Sequence, residues 1–150
     1  MKANQSKVSL REVTADNVRS ICELAVTEEQ SKYVVANAIA IAEASASKDD
    51  WYRAIYADEL PVGLAVLKVQ PESAKYLLWR FMIDARHQNS NFGRRAMELL
   101  IQHVKTKPNA VDFFTSVVPG DLCPQKFYEK LGFQLTGEWD NGEAVMRLKF

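Results

Sequence analysis

Cysteine is scarce in this chain: Cys22 and Cys123 are its only two, and they do not form a CxxC pair. A disulfide scaffold is thereby excluded, and two histidines, His87 and His103, with no Cys or His nearby in sequence make no metal-ligand template. Reduced thiols and no bound metal are expected. Also lacking is any run near the roughly 20 apolar residues that a membrane span requires. The opening "MKANQSKVSL" has no continuous apolar stretch of the kind a signal peptide carries. The expectation is a soluble, cytoplasmic protein with no membrane partner. An excess of charge of one sign is missing too, with 19 Lys and Arg against 19 Asp and Glu, which argues against a nucleic-acid partner. Internal repeats and low-complexity segments are absent.

What is present is enough apolar residues, 47% of 150, for one compact domain over residues 1–150 that buries about two-thirds of its unfolded surface. The balanced charge is unevenly spread. Residues 1–60 carry 7 basic against 10 acidic side chains, residues 61–110 carry 8 against 3, and residues 111–150 carry 4 against 6. A basic middle suits an anionic ligand at the centre of the chain, and an acidic start suits a cation, although exposed charges also simply solvate a surface.

Periodicity gives the order of elements. "VSLREV" (8–13) alternates as a strand, and "TADN" (14–17) supplies caps for a helix with Val18, Ile21, Cys22 and Ala25 on one face. A second helix is expected over roughly 31–47, with Val34, Ala38, Ile41 and Ala42 at helical spacing. "WYRAIYA" and "PVGLAVLKV" flank a turn, and "YLLWRFMI" (76–83), the most apolar strand, is placed at the sheet centre. Gly93, Ala96, Met97, Leu100 and Val104 then mark a helix, and "VDFFTSVV" (111–118) a strand, so a β-α-β crossover with parallel strands is expected. A short helix follows, with Pro124 in its first turn and Gly132 as its stop. "FQLTGEW", "DNG" and "EAVMRLKF" close the chain as a hairpin.

The stretch "ARHQNSNFGRRAMELL" (85–100) poses the functional question. A loop entering a helix between arginines is where an anion would bind, since a helix start offers unpaired N–H groups and the positive end of its dipole. Only Gly93 remains where such loops usually carry several glycines. The segment "LWRFMIDARHQNSNFGRRAMELL", the later "KFYEKLGF" and the element order resemble the GNAT superfamily of acyl-CoA-dependent N-acetyltransferases. "VTEEQSKYV", "LWRFMID" and "TGEWDNGEAVM" are most similar to its spermine/spermidine N-acetyltransferase branch.

The resemblance implies an α+β fold: a central mixed, mostly antiparallel sheet of about seven strands, flanked by about four helices. It implies direct acetyl transfer from acetyl-CoA to a small-molecule primary amine such as spermidine or spermine. Gln88 and Gly93 match the first and last fixed positions of the cofactor loop, while Asn89, Ser90 and Phe92 fall at its free positions and Arg94 follows. Asn91 stands where a glycine is expected. Asn tolerates a left-handed backbone better than other non-glycine residues, so Asn91 can keep the loop's shape; the alternative is a loop that serves only to start a helix. Tyr128 occupies the general-acid position, where a phenol protonates the departing thiolate; the alternative is a packed aromatic. Backbone N–H groups near Met82 and Ile83 would polarise the thioester carbonyl.

Other residues carry weaker signals. Arg80, inside an apolar strand, needs a carboxylate or the cofactor groove as its partner. Arg86, Arg94 and Arg95 stand beside the anion loop, His87 reads as a loop residue, and Cys123 as a small apolar one. Asp121 stands where the family often has Asn. Glu28 and Glu29 are candidate substrate-binding residues for a cationic amine, with Asp49 and Asp50 extending an acidic rim. Three alternatives stay open: a non-catalytic CoA-binding module, or an enzyme acting on a protein amine or on an amino sugar. Oligomeric state is also left open, a homodimer included.

Overall fold

The computed structural model describes residues 5–150, so the first four residues of the expected 1–150 domain lie outside the described residues. Eleven elements follow in chain order: β1 (Val8–Arg11), α1 (Val18–Glu23), α2 (Asn37–Ser45), β2 (Trp51–Ala57), β3 (Leu60–Gln70), β4 (Lys75–Ile83), α3 (Phe92–Lys105), β5 (Asp112–Val117), α4 (Gln125–Lys130), β6 (Gln134–Asp140) and β7 (Glu143–Lys149). The strands form one seven-stranded open sheet in the order β1-β2-β3-β4-β5-β7-β6. The most apolar strand, β4, is the middle one. Every neighbouring pair is antiparallel except β4 with β5, as a crossover through α3 requires.

Two apolar layers cover the sheet. One face packs α3 and α4 against Leu67, Leu78, Phe113, Phe133 and Met146, and the other packs α1 and α2 against Ala54, Leu64, Val66 and Met82. Helix α3 presents Phe92, Ala96, Met97, Leu100, Ile101 and Val104 as its buried stripe. Burying a side chain the size of Met97 or Leu100 contributes about 1.5–3 kcal/mol. On β7, Ala144 and Met146 are buried in the α3 layer, which aims Glu143, Val145 and Arg147 at the other face. Strands β3 and β4 approach so closely that a Cβ on Gly63 would sit 2.3 Å from the Met82 carbonyl oxygen, so only glycine fits there.

The second helix differs from expectation. Instead of one helix over 31–47, a 3-10 turn at Gln30–Lys32 precedes non-helical residues 33–36, and α2 begins at Asn37. Tyr33, Val34 and Val35 are aromatic or β-branched and lose side-chain freedom in a helix. The buried face is also rotated: Asn37, Ala40 and Ala44 are buried, whereas Ala38 and Ala42 are exposed. The reason is the Asn37 side chain, which donates to the Ile21 carbonyl at 2.9 Å and fixes α2 against α1. Helix α1 is shorter than expected and leaves Ala25 outside it. Asn17 does not cap α1 with its side chain; its Oδ1 accepts from the Thr14 amide and its Nδ2 donates to the Glu12 carbonyl and the Tyr56 hydroxyl. Strand β1 stops at Arg11 rather than Val13. Among the described residues, no helix is long and apolar enough to cross a membrane.

Candidate active site

Strands β4 and β5 share a single paired position, Leu77 with Phe114. Just beyond it β4 carries an extra residue: Val66 faces Arg80 and Leu67 faces Leu78, leaving Trp79 unmatched. A bulge bends its strand, and from here the two strands part. A cavity of about 730 Å³ occupies the gap and is lined from both faces of the sheet. Phe81, Ile83, Gly93, Phe127 and Tyr128 line it on the α3 and α4 side; Gln30, Tyr33, Val34, Arg80, Ser116 and Glu143 line it on the side of α1 and α2.

Backbone alternation identifies the amides that face this gap. The Asp84 N–H donates to the Val62 carbonyl on β3 at 2.8 Å. Ile83 therefore turns its N–H and carbonyl away from β3, toward the opening, and Gln88 Nε2 reaches that carbonyl at 2.9 Å. By the same alternation the Met82 amide points at β3, and Met82 lines the cavity with other atoms.

The loop after β4 is held by Asp84, which is 2% exposed. Its Oδ1 accepts from the Ala25 amide at 2.9 Å, and its Oδ2 accepts from the Arg86 amide at 3.1 Å and from Arg86 Nε at 2.9 Å. Burial favours its protonated form, but the Arg86 guanidinium and these amides outweigh burial and hold the carboxyl below its ordinary value. The chain then reverses through two left-handed asparagines, Asn89 at φ 64 and Asn91 at φ 67. Asn91 is the N-cap residue of α3, with ψ 11, and makes no side-chain capping bond. The first N–H groups of α3 have no carbonyl one turn earlier to bond. Gly93, in this first turn, borders the cavity: a Cβ there would point at Ile83 and Phe127, 3.6 Å from each. The donor set fits a pyrophosphate, with a helix start, a side-chain-free position and Arg94 together at one end of the cavity.

Tyr128 is 6% exposed and packs edge-on against Phe127 and Phe133. Burial pushes its phenol up to about 12, while a hydrogen bond with the Thr115 side chain works in the opposite direction. The hydroxyl is thus protonated at neutral pH. Thr115 in turn donates to the Leu78 carbonyl at 3.3 Å, on the strand across the gap.

Most residues expected from the sequence meet here. Met82, Ile83, Gln88, Asn89, Asn91, Phe92, Gly93, Arg94 and Tyr128 line the cavity, and so do His87 and Cys123. Ser90 does not, and Phe92 is a buried core residue rather than a free loop position. Glu28 and Glu29 are exposed on the turn before Gln30 and are not among the lining residues. Asp49, Asp50 and Asp121 do not line it either; Asp50 pairs with Lys68 at 3.6 Å, which offsets its charge. Arg80 finds the expected carboxylate in Glu43, at 3.5 Å, and also borders the cavity. Sequence reasoning missed Asp84, Gln30, Ser116 and Glu143. The acid of "DNGEAV" was a legible signal, because alternation with the apolar Ala144 and Met146 fixes its face.

A model of the Acetyltransferase (GNAT) family matches residues 16–133. Spermine/spermidine N(1)-acetyltransferase of Bacillus subtilis is 29% identical over 149 residues, covering 93% of this chain and 96% of that protein. Among solved structures, the PaiA N-acetyltransferase of Thermoplasma acidophilum in complex with coenzyme A superposes with a TM-score of 0.73 at 15% identity, covering 96% of this chain and 99% of that one. A spermidine N-acetyltransferase chimera from Vibrio cholerae gives 0.70 at 18% identity, covering 96% of each chain.

Proposed function

Because the chain belongs to the Acetyltransferase (GNAT) family, we propose that residues 1–150 act as one N-acetyltransferase unit that moves an acetyl group directly from acetyl-CoA to a primary amine of a polyamine. The observation that carries this reading is the cavity between the parted strands, bordered by the start of α3 and lined by the protonated phenol of Tyr128. The polyamine assignment is supported by the similarity to spermine and spermidine acetyltransferases.

Bound acetyl-CoA supplies an activated acetyl thioester. The first turn of α3, with Gln88, Asn89, Ser90, Asn91, Phe92, Gly93 and Arg94 forming or flanking it, holds the pyrophosphate. The Ile83 amide, facing the gap, donates to the carbonyl oxygen, where charge builds during transfer. On transfer the amine nitrogen loses one proton to solvent and the sulfur gains one from Tyr128, which recovers a proton from solvent. An alkyl amine has a pKa of roughly 10.4 and must be neutral to attack. Glu28 and Glu29 act outside the cavity, where exposed carboxylates raise the local concentration of a cationic acceptor.

The test follows free thiol release from acetyl-CoA with spermidine, spermine, a monoamine, an amino sugar and a peptide amine as acceptors. Fastest turnover with the polyamines is expected. Preference for the peptide or the sugar would replace the polyamine assignment, and coenzyme A binding without turnover on any acceptor would leave a binding module.

A further inference from the structure

Among the described residues, Glu143 supplies the only carboxylate of the side chains that line the cavity. The other ionic groups there, Arg80, Arg94 and Lys130, are basic. A cationic acceptor entering this space meets one place of opposite charge. We propose that Glu143 is the substrate-binding residue that receives an ammonium group of the acceptor amine, an inference that rests on the acetyltransferase reading.

Its position on the fold supports this role. Ala144 and Met146 on β7, and Thr115 and Val117 on β5, are buried on the face covered by α3 and α4. Alternation puts Glu143 and Ser116 on the opposite face, away from Tyr128. Ser116 Oγ donates to Glu143 Oε1 at 3.1 Å, which orients the carboxylate from the neighbouring strand. A ligand phosphate at α3 and a cation at Glu143 thus occupy different ends of one cavity that crosses the sheet, with the parted strands between them. Cofactor and acceptor approach the transfer point from opposite faces, and a chain with a second ammonium group has a counter-charge on its own side. Arg80 does not cancel this, because Glu43 pairs with it at 3.5 Å.

The experiment titrates spermidine into the coenzyme A-loaded wild type, Glu143→Gln and Ser116→Ala by calorimetry, and measures acetyl transfer to spermidine for the same proteins. Gln is isosteric and removes only the charge. Glu143→Gln is expected to weaken spermidine binding about 10- to 100-fold, the range for losing a hydrogen bond to a charged group, with coenzyme A affinity unchanged as the check on folding. The Michaelis constant for spermidine should rise more than turnover falls, and Ser116→Ala should give a smaller change in the same direction. Equal spermidine affinity in wild type and Glu143→Gln, or no spermidine binding by the wild type, would overturn the proposal even if transfer occurs. Spermidine binding that depends on Glu143 without any acetylated product would keep the contact and overturn the acetyltransferase reading instead.

Discussion

Gln88 and Gln30 face each other amide to amide across the edge of the cavity: Gln88 Nε2 donates to Gln30 Oε1 at 2.9 Å, and Gln30 Nε2 donates back to Gln88 Oε1 at 3.4 Å. Because Gln88 also reaches the Ile83 carbonyl, the pair ties three segments together: the turn after α1, the end of β4 and the loop before α3. Gln30→Ala and Gln88→Ala should each destabilise, and a double-mutant cycle in urea should return a coupling of about 0.5–1.5 kcal/mol. Additive effects would show that the two amides do not interact in solution.

Asn91 tests the loop. At φ 67 it occupies a conformation that glycine adopts freely and β-branched residues resist. Asn91→Gly should leave coenzyme A affinity within a few-fold of wild type, whereas Asn91→Val should cost about 1–2 kcal/mol of strain and weaken binding accordingly. Calorimetric titration with coenzyme A decides; indistinguishable affinities for the two variants would detach the loop's backbone shape from cofactor binding.

Asp84 makes a prediction about stability and pH. It gathers two backbone amides and the Arg86 guanidinium at a buried site, so Asp84→Ala should cost about 2–4 kcal/mol. Its carboxyl is held below the ordinary value, so the charged form contributes stability that is fully present above the unfolded pKa of about 3.9 and is lost as pH falls through the folded value. Unfolding midpoints of wild type and Asp84→Asn should therefore differ at pH 7 and converge in strong acid. A gap that stays constant with pH would mean that the Asp84 charge does not contribute.

Much of this was legible in the sequence because it follows from local pattern. The alternation of Ala144 and Met146 against Val145 and Arg147 marked β7 as a two-faced strand, and the helical spacing of Ala96, Met97, Leu100 and Val104 marked the buried stripe of α3. Asn91 was legible as a left-handed position because few other residues tolerate one. The misses share a cause, since they depend on partners far away in the chain. Asn37 breaks the Ala-rich helix pattern by bonding Ile21, 16 residues earlier. The face of Glu143 follows from local alternation, but its meeting with Ser116, 27 residues earlier, does not. Glu28 and Glu29, between the two early helices, are exposed on the turn before Gln30 and lie outside the cavity lining.

The most direct measurement of the central account, that acetyl transfer occurs in this cavity with Tyr128 as the proton donor to sulfur, is single-turnover transfer to spermidine by wild type and Tyr128→Phe. The substitution removes one hydroxyl and its bond with Thr115, so stability should change by about 1 kcal/mol and coenzyme A affinity little. The transfer rate should fall by roughly 10²-fold to 10⁴-fold. Ultraviolet titration of the wild type should also show a tyrosine ionising near 12 that is missing from the variant. An unchanged single-turnover rate in Tyr128→Phe would contradict the account and leave Tyr128 a packed aromatic beside Phe127 and Phe133.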